Sequence, residues 1–354
     1  MRARRNKRLP DSTLVHQKRL PPNVIENVLP PDKKYHYFKD HQENRFEYNA
    51  PYEFKLVNAW WLADAAFLAY TEPQFAERRF KAAGFPHCKF FSCSSTQCYV
   101  VHNDNFVIVA FRGSEIRQRE GTSGCDLRYI VADWLTDLDT YLVDVGQNYF
   151  VHEGFKKALD EIWDPQPQAN EEECRDSLKS YLDTVGNKNG RQRPIWFTGH
   201  SLGAALATLA AGRYENVAGL YTFGSPRVGV RAFAKALKVP NYRFVNNDDV
   251  VAKVPFHGDY RGGNIFRNLF FGWYHHIGNT LYIDQEDIIH VNPHIWNRLL
   301  WNFRKMLKNM GNCVFLLLRF RRELPENALT DHAPIYYAIR IWNNYIRGSG
   351  DLPE

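Results

Sequence analysis

Residues 195–213 read IWFTGHSLGAALATLAAGR: an apolar run, then Gly-His-Ser-Leu-Gly, then a stretch dominated by alanine and leucine. A short buried-looking strand that turns within one residue into an Ala-rich helix is a narrow constraint on the fold. Gly199 and Gly203 lack Cβ atoms on either side of Ser201, which permits the strained turn and close packing such an elbow needs. The helix that follows would aim its free N–H groups and positive dipole end at whatever approaches the serine. G-x-S-x-G alone is weak evidence, arising by chance in roughly one chain in ten of this length at average Gly and Ser usage. Its meaning rests on the strand before it and the helix after it.

The surrounding pattern extends the same architecture. The strand expected at 195–198 is followed by helix 202–213, strand 218–223, helix 230–237 and strand 242–246, the alternation of a parallel sheet covered by helices. Upstream, QCYVVHNDNFVIVAF reads as two strands joined at Asn103-Asp104-Asn105, the second an unbroken apolar run at 106–111, as in a strand covered on both faces. NAWWLADAAFLAY, residues 58–70, has helical spacing. Further helical patterns lie at 153–163 and 171–185, and the polar, Gly/Ser-rich residues 114–130 read as a loop. The expected class is therefore α/β, with a mostly parallel central sheet. Residues 1–50 read as an extended basic arm and 51–345 as one domain that includes a basic amphipathic helical insertion at 284–325.

A chain of 354 residues with 44% apolar composition can bury one large core. The net charge of +6 is mild and does not call for nucleic acid. The first 20 residues carry seven Lys/Arg against one acid but no apolar stretch of signal type. No run of eighteen apolar residues occurs anywhere. These readings make a cytoplasmic protein with possible peripheral membrane contact the expectation. The six cysteines are too sparse for a disulfide scaffold. Cys88, Cys93 and Cys98 lack paired C-x2-C spacing, so scattered free thiols are expected rather than a zinc site.

A serine hydroxyl needs a base, and the base an orienting carboxylate. In this topology they follow the serine in the order acid, then histidine. Asp248 and Asp249, in RFVNNDDVVAKVP, fall just past the 242–246 strand, at the carboxyl end where sites gather in open α/β sheets. His332, in LTDHAPIYY, precedes an aromatic helix.

The blocks VIVAFRGS, DWLTDLD, VHEGF, FTGHSLGAALATLAA, LYTFGSPRVG, VNNDDVVAKVP and DHAPIYY, in this order from about 58 to 340, resemble the class 3 lipase family. The resemblance implies an α/β-hydrolase fold and a serine hydrolase that cleaves carboxylic esters of lipids, acylglycerols first, with a phospholipase A-type enzyme or a broad carboxylesterase as alternatives and a non-catalytic lipid-binding protein of the same fold ranked last, and with no cofactor. It assigns Ser201 as nucleophile, Asp249 as the acid and His332 as the base. The Leu202 N–H and the backbone and hydroxyl of Ser114 match the oxyanion hole. Ala204 stands where the family often has glycine. The 114–133 stretch is longer than the pattern, and 83 residues separate Asp249 from His332.

Other candidates take lesser roles. His200, adjacent to Ser201, should point away from it and be structural. His275 and His276 match a family segment that does not supply the base. Asp133 and Asp137 more naturally cap a helix or hold a loop by ion pairs. Between acid and base, residues 295–322 place Trp296, Leu299, Phe303, Leu307, Met310, Val314 and Leu317 on one helical stripe. Seven Lys/Arg and no acid occupy the rest. Such a segment either packs on the core with its basic face in water or lies in an anionic lipid interface, at a membrane or lipid droplet.

Overall fold

A computed structural model describes residues 17–22, 29–50, 52–114, 141–147, 149–165, 176–188, 190–254, 274–293 and 328–348. Residues 294–325 of the expected helical insertion, with Asp133 and Asp137, lie outside these residues; its first part, 284–293, is not helical, because it turns back and pairs Ile289–Val291 as an antiparallel edge strand.

The order is α1 (Leu56–Leu68), α2 (Pro73–Ala82), β1 (His87–Cys93), β2 (Thr96–His102), β3 (Val107–Phe111), β4 (Leu142–Asp144), β5 (Phe150–His152), α3 (Glu153–Trp163), α4 (Leu178–Gly186), β6 (Asn187–Lys188), β7 (Arg191–Gln192), β8 (Ile195–His200), α5 (Leu202–Arg213), β9 (Val217–Phe223), β10 (Gly229–Val230), α6 (Arg231–Ala236), β11 (Asn241–Asn246), β12 (Tyr274–His275), β13 (Asn279–Ile283), β14 (Ile289–Val291), α7 (Ala328–His332) and α8 (Pro334–Ile346). Eight strands form the main sheet in the order β1-β2-β3-β8-β9-β11-β13-β14. The centre, from β3 to β13, is parallel, and antiparallel strands close both edges. A smaller four-stranded sheet, β12-β10-β5-β4, stands apart from it.

Every residue of β3, β8 and β9 is buried, which explains why their sequences read as continuous apolar runs without alternation. The two faces are nonetheless sorted. Ile108, Ala110 and Trp196 join the core under α1, α2 and α8, whereas Val107, Val109, Phe111, Ile195 and Phe197 join the core under α3, α4 and α5. The period-2 geometry of a strand thus divides one apolar run between two cores. Of the expected 171–185 helix, residues 171–175 lie outside the described residues; α4 starts at Leu178 because Ser177 caps it, its hydroxyl accepting from the Ser180 N–H at 3.1 Å.

Two expectations change. The extended arm is, over residues 29–50, a packed strap: Tyr35, Tyr37, Phe38 and Phe46 are buried in the α1/α8 core. Asp64 of α1, fully buried, draws it in by accepting from the Phe38 N–H at 2.6 Å and the Tyr35 hydroxyl at 2.9 Å. Lys18 lies over the Tyr35, Trp60 and Trp342 rings at 4.7, 5.7 and 5.2 Å, which anchors the arm at this point too. Cysteines are the second correction. Cys88 and Cys98 are free, but Cys93 is disulfide-bonded, so the thiols are not all free. Among the described residues no His/Cys/Asp/Glu group is arranged to hold a metal ion, and no helix is long and apolar enough to cross a membrane.

Candidate active site

The turn from β8 into α5 carries Ser201 at φ 58°, ψ −127°, a left-handed conformation that costs a non-glycine residue of order 1–3 kcal/mol. The chain sustains it because the flanking positions let backbones touch. A Cβ on Gly203 would collide with the Phe111 carbonyl and lie 2.8 Å from the Arg112 carbonyl carbon. A Cβ on Gly199 would strike the backbone of Gly203 itself. The helix therefore starts hard against β3, and Leu202, its first residue, has an N–H free of any intrahelical partner. The β3 strand ends at Phe111, opposite Gly199, and the chain continues through Arg112 and Gly113 to Ser114 alongside the elbow. Both expected oxyanion donors thus come from segments packed against the Ser201 turn.

The Ser201 hydroxyl lies 3.0 Å from His332 Nε2. His332 Nδ1 is 3.0 Å from both carboxylate oxygens of Asp249. All three residues are buried, with Asp249 fully so. Since a carboxylate only accepts, Nδ1 carries the proton and Nε2 is left to accept from the serine hydroxyl. Asp249 Oδ1 also accepts from the Val251 and Ala252 N–H groups at 2.9 and 3.3 Å, and Oδ2 from the Tyr337 hydroxyl at 2.6 Å. Burial by itself would raise the Asp249 carboxyl. The charge and hydrogen bond of His332, together with the Tyr337 hydroxyl, outweigh it and hold the group below its ordinary value. Gly224, at φ 58° after β9, keeps space open here, since a Cβ there would lie 2.7 Å from Asp249 Oδ2 and 3.0 Å from His332 Nδ1.

Of the two acids it is Asp249 and not Asp248 that meets His332; the Asp248 backbone N–H donates to Asp331 Oδ2 at 3.0 Å. His275 and His276 sit at and beyond β12 in the small sheet, and it is His332 that meets Ser201. His200 points away from the serine but is not passive. Its Nε2 donates to the His332 carbonyl at 2.6 Å, and its Nδ1 is 2.9 Å from the Tyr70 hydroxyl. A carbonyl faces Nε2, so Nε2 bears the hydrogen and Nδ1 accepts from Tyr70. The Tyr70 oxygen in turn accepts from the Gly113 N–H. A continuous chain of hydrogen bonds thus ties the loop leading to Ser114 to the backbone of His332. Burial, then the nearby His332 charge, pushes His200 down to about 3, so it stays neutral and keeps its directional bonds.

Sequence reasoning missed Tyr70, Gly224 and Tyr337. Tyr337 sits one helical turn and a residue beyond His332, and its hydroxyl also accepts from the Asn246 N–H at 3.0 Å. A tyrosine read only as part of an aromatic helix face gave no sign of this; the nearest available signal was its position five residues after the histidine.

A nucleophile hydroxyl, an imidazole with one nitrogen free to take its proton, a buried carboxylate fixing the tautomer and backbone donors nearby can perform acyl transfer. The family model for lipase (class 3) matches residues 108–258. The chain is 30% identical over 164 residues, 44% of its length, to secreted mono- and diacylglycerol lipase A of Penicillium cyclopium. It is 28% identical over 233 residues, 56% of its length, to chloroplastic phospholipase A1-Igamma1 of Arabidopsis thaliana. These matches span 45% and 41% of the respective relatives, less than half of either. The crystal structure of mono- and diacylglycerol lipase from Aspergillus oryzae is similar at TM-score 0.47 and 23% identity, covering 68% of this chain and 87% of that one. The relatives correct the expectation of a cytoplasmic location: those from P. cyclopium and, at 28% identity, Fusarium solani are secreted lipases. The Cys93 disulfide agrees with that correction, because such bonds persist in oxidising compartments. Residues 108–258, which hold the elbow serine and the acid, are the part of the chain that matches the lipase (class 3) family model.

Proposed function

We propose that this chain is a glycerolipid carboxylic ester hydrolase working through an acyl-enzyme on Ser201. The observation that carries this reading is the 3.0 Å contact from Ser201 Oγ to His332 Nε2, with Asp249 3.0 Å behind the imidazole. His332 removes the hydroxyl proton as Ser201 attacks the ester carbonyl, and Asp249 stabilises the imidazolium that forms. The Leu202 N–H and Ser114 hold the oxyanion, each such donor being worth about 10²–10³ in rate. His332 then protonates the departing alcohol, and a water activated by the same histidine releases the fatty acid. Nothing in this sequence of steps requires a metal or an organic cofactor.

The relatives are named for mono- and diacylglycerols and for phospholipids, and the bond common to them is the acyl ester of glycerol. The test is fatty-acid release by the purified full chain from mono-, di- and triacylglycerol and from phosphatidylcholine. Release from at least one of these, lost in Ser201→Ala, supports the reading. Release from none, or release undiminished in Ser201→Ala, overturns it.

A further inference from the structure

Asp331 immediately precedes His332, and Asp248 immediately precedes Asp249. The two are joined: Asp331 Oδ2 accepts from the Asp248 N–H at 3.0 Å. Its backbone carbonyl accepts from Asn246 Nδ2 at 2.8 Å, on the strand end leading to the same loop. The other carboxylate oxygen, Oδ1, meets Arg340 Nη1 at 2.8 Å, and Arg340 Nε meets Asp287 Oδ1 at 2.7 Å. Asp287 holds the turn between β13 and β14 at φ 58°, where its carbonyl also accepts from Asn344 Nδ2 at 2.7 Å and from Arg347. The guanidinium from α8 therefore holds two segments directly, the one ending in the base through Asp331 and the β13–β14 turn through Asp287, and Asp331 passes the link on to the residue before the acid.

We propose that Arg340 is a positioning residue for the hydrolase reading given above: through Asp331 it fixes the separation of Asp249 and His332, and it neutralises the carboxylate next to the histidine.

Stability alone does not account for this arrangement. Arg340 and Asp331 are both buried, and a buried ion pair is commonly no more stable than apolar residues of the same volume, although losing one partner is costly. Apolar side chains in their place would not accept the Asp248 N–H. Lysine would not serve either, because the guanidinium presents two separate edges, Nη1 to Asp331 and Nε to Asp287, where an ammonium is a single point. The charged and titratable groups around the network are Asp331 on α7, Asp287 on the β13–β14 turn, Asp248 and Asp249 after β11, His332, and Tyr336 and Tyr337 on α8, the Tyr336 ring lying 5.6 Å from the guanidinium. Burial pushes the Asp331 carboxyl up and Arg340 opposes it, so removing Arg340 leaves an uncompensated acid beside His332.

The experiment measures kcat, KM and the pH dependence of kcat/KM for wild type, Arg340→Met, Arg340→Lys and the double variant Asp331→Asn with Arg340→Met. Arg340→Met is expected to lose about 10–100-fold in kcat with KM nearly unchanged, as for a misplacement remote from the substrate. The acid limb of its profile should move up by up to about one pH unit, since the bare carboxylate favours the imidazolium. Arg340→Lys should lose kcat but keep the wild-type limb, which separates geometry from charge. In the double variant the asparagine oxygen still accepts the Asp248 N–H and no bare carboxylate is left beside His332, so the limb should return and kcat recover several-fold over Arg340→Met. A merely structural role would lower activity in step with thermal stability and leave the limb in place; that result overturns the proposal. So does an Arg340→Met enzyme with wild-type kcat and limb, or a double variant worse than Arg340→Met. A wild type that turns over no ester overturns the hydrolase reading and this role with it, whereas an active wild type with these failures overturns the Arg340 role alone.

Discussion

Replacing His200 with glutamine isolates one buried titrating group and makes the network behind the site measurable. In the folded chain His200 is pushed down to about 3. Unfolded, a histidine titrates near 6.5. Because the folded value is the lower one, the contribution to stability is complete above about pH 6.5. It falls as the pH drops through the window towards 3, where the unfolded chain binds a proton that the folded chain refuses. At one proton, or about 1.4 kcal/mol per pH unit, the loss from this residue reaches about 2 kcal/mol at pH 5 relative to pH 7.5. Glutamine does not titrate, and its amide N–H can take the place of Nε2–H on the His332 carbonyl. It cannot accept from Tyr70 in the same geometry, so the variant should be less stable at pH 7.5 by about 1 kcal/mol, the worth of one hydrogen bond. That deficit should shrink or reverse by pH 5. Urea denaturation from pH 7.5 to pH 4.5, followed through the fluorescence of the nine tryptophans, gives both curves. The buried acids Asp64 and Asp331 contribute to both proteins alike and cancel in the difference. Parallel stability–pH curves for wild type and His200→Gln would refute the reasoning, since they would mean that His200 accepts a proton in the folded state as readily as in the unfolded one.

Two further outcomes test the scaffold. Tyr337→Phe removes the hydroxyl that donates to Asp249 and leaves the Asn246 N–H without its acceptor; it should cost about 1–3 kcal/mol in urea unfolding and lower kcat more than it raises KM. Gly203→Ala drives a Cβ into the Phe111 carbonyl; it should cost about 3 kcal/mol or more, read as a lower melting temperature or loss of soluble protein, where Ala204→Gly should cost only about 1 kcal/mol.

The parts of this molecule that were legible in the sequence are those whose signal is local. The elbow is written in consecutive residues, and the helices Glu153–Trp163 and Leu202–Arg213 start and stop where the pattern ends. Ser201, Asp249 and His332, read from their blocks and chain order, are the three side chains that meet within 3.0 Å. Long-range features were hidden. The strap at 29–50 looked polar because its few aromatic anchors are spaced irregularly among charges, and Asp64, which recruits them, looked like one polar position on an otherwise apolar helix. Tyr70 lies 130 residues before His200, and Arg340 engages Asp287 from 53 positions away, so no window of sequence contains either pair. The location was misread for a similar reason: the cue sought was a leader segment, whereas the Cys93 disulfide appears only once the chain is folded.

The central claim is that Ser201 is an activated nucleophile. Exposing the full chain to a fluorophosphonate probe, followed by intact-mass measurement and peptide mapping, tests it directly. The account predicts one covalent adduct per chain, located on Ser201, absent in Ser201→Ala, and formed at least about 10³-fold more slowly in His332→Ala, where the hydroxyl has lost its base. An unlabelled wild type, an adduct on a different residue, or undiminished labelling of Ser201→Ala would contradict it.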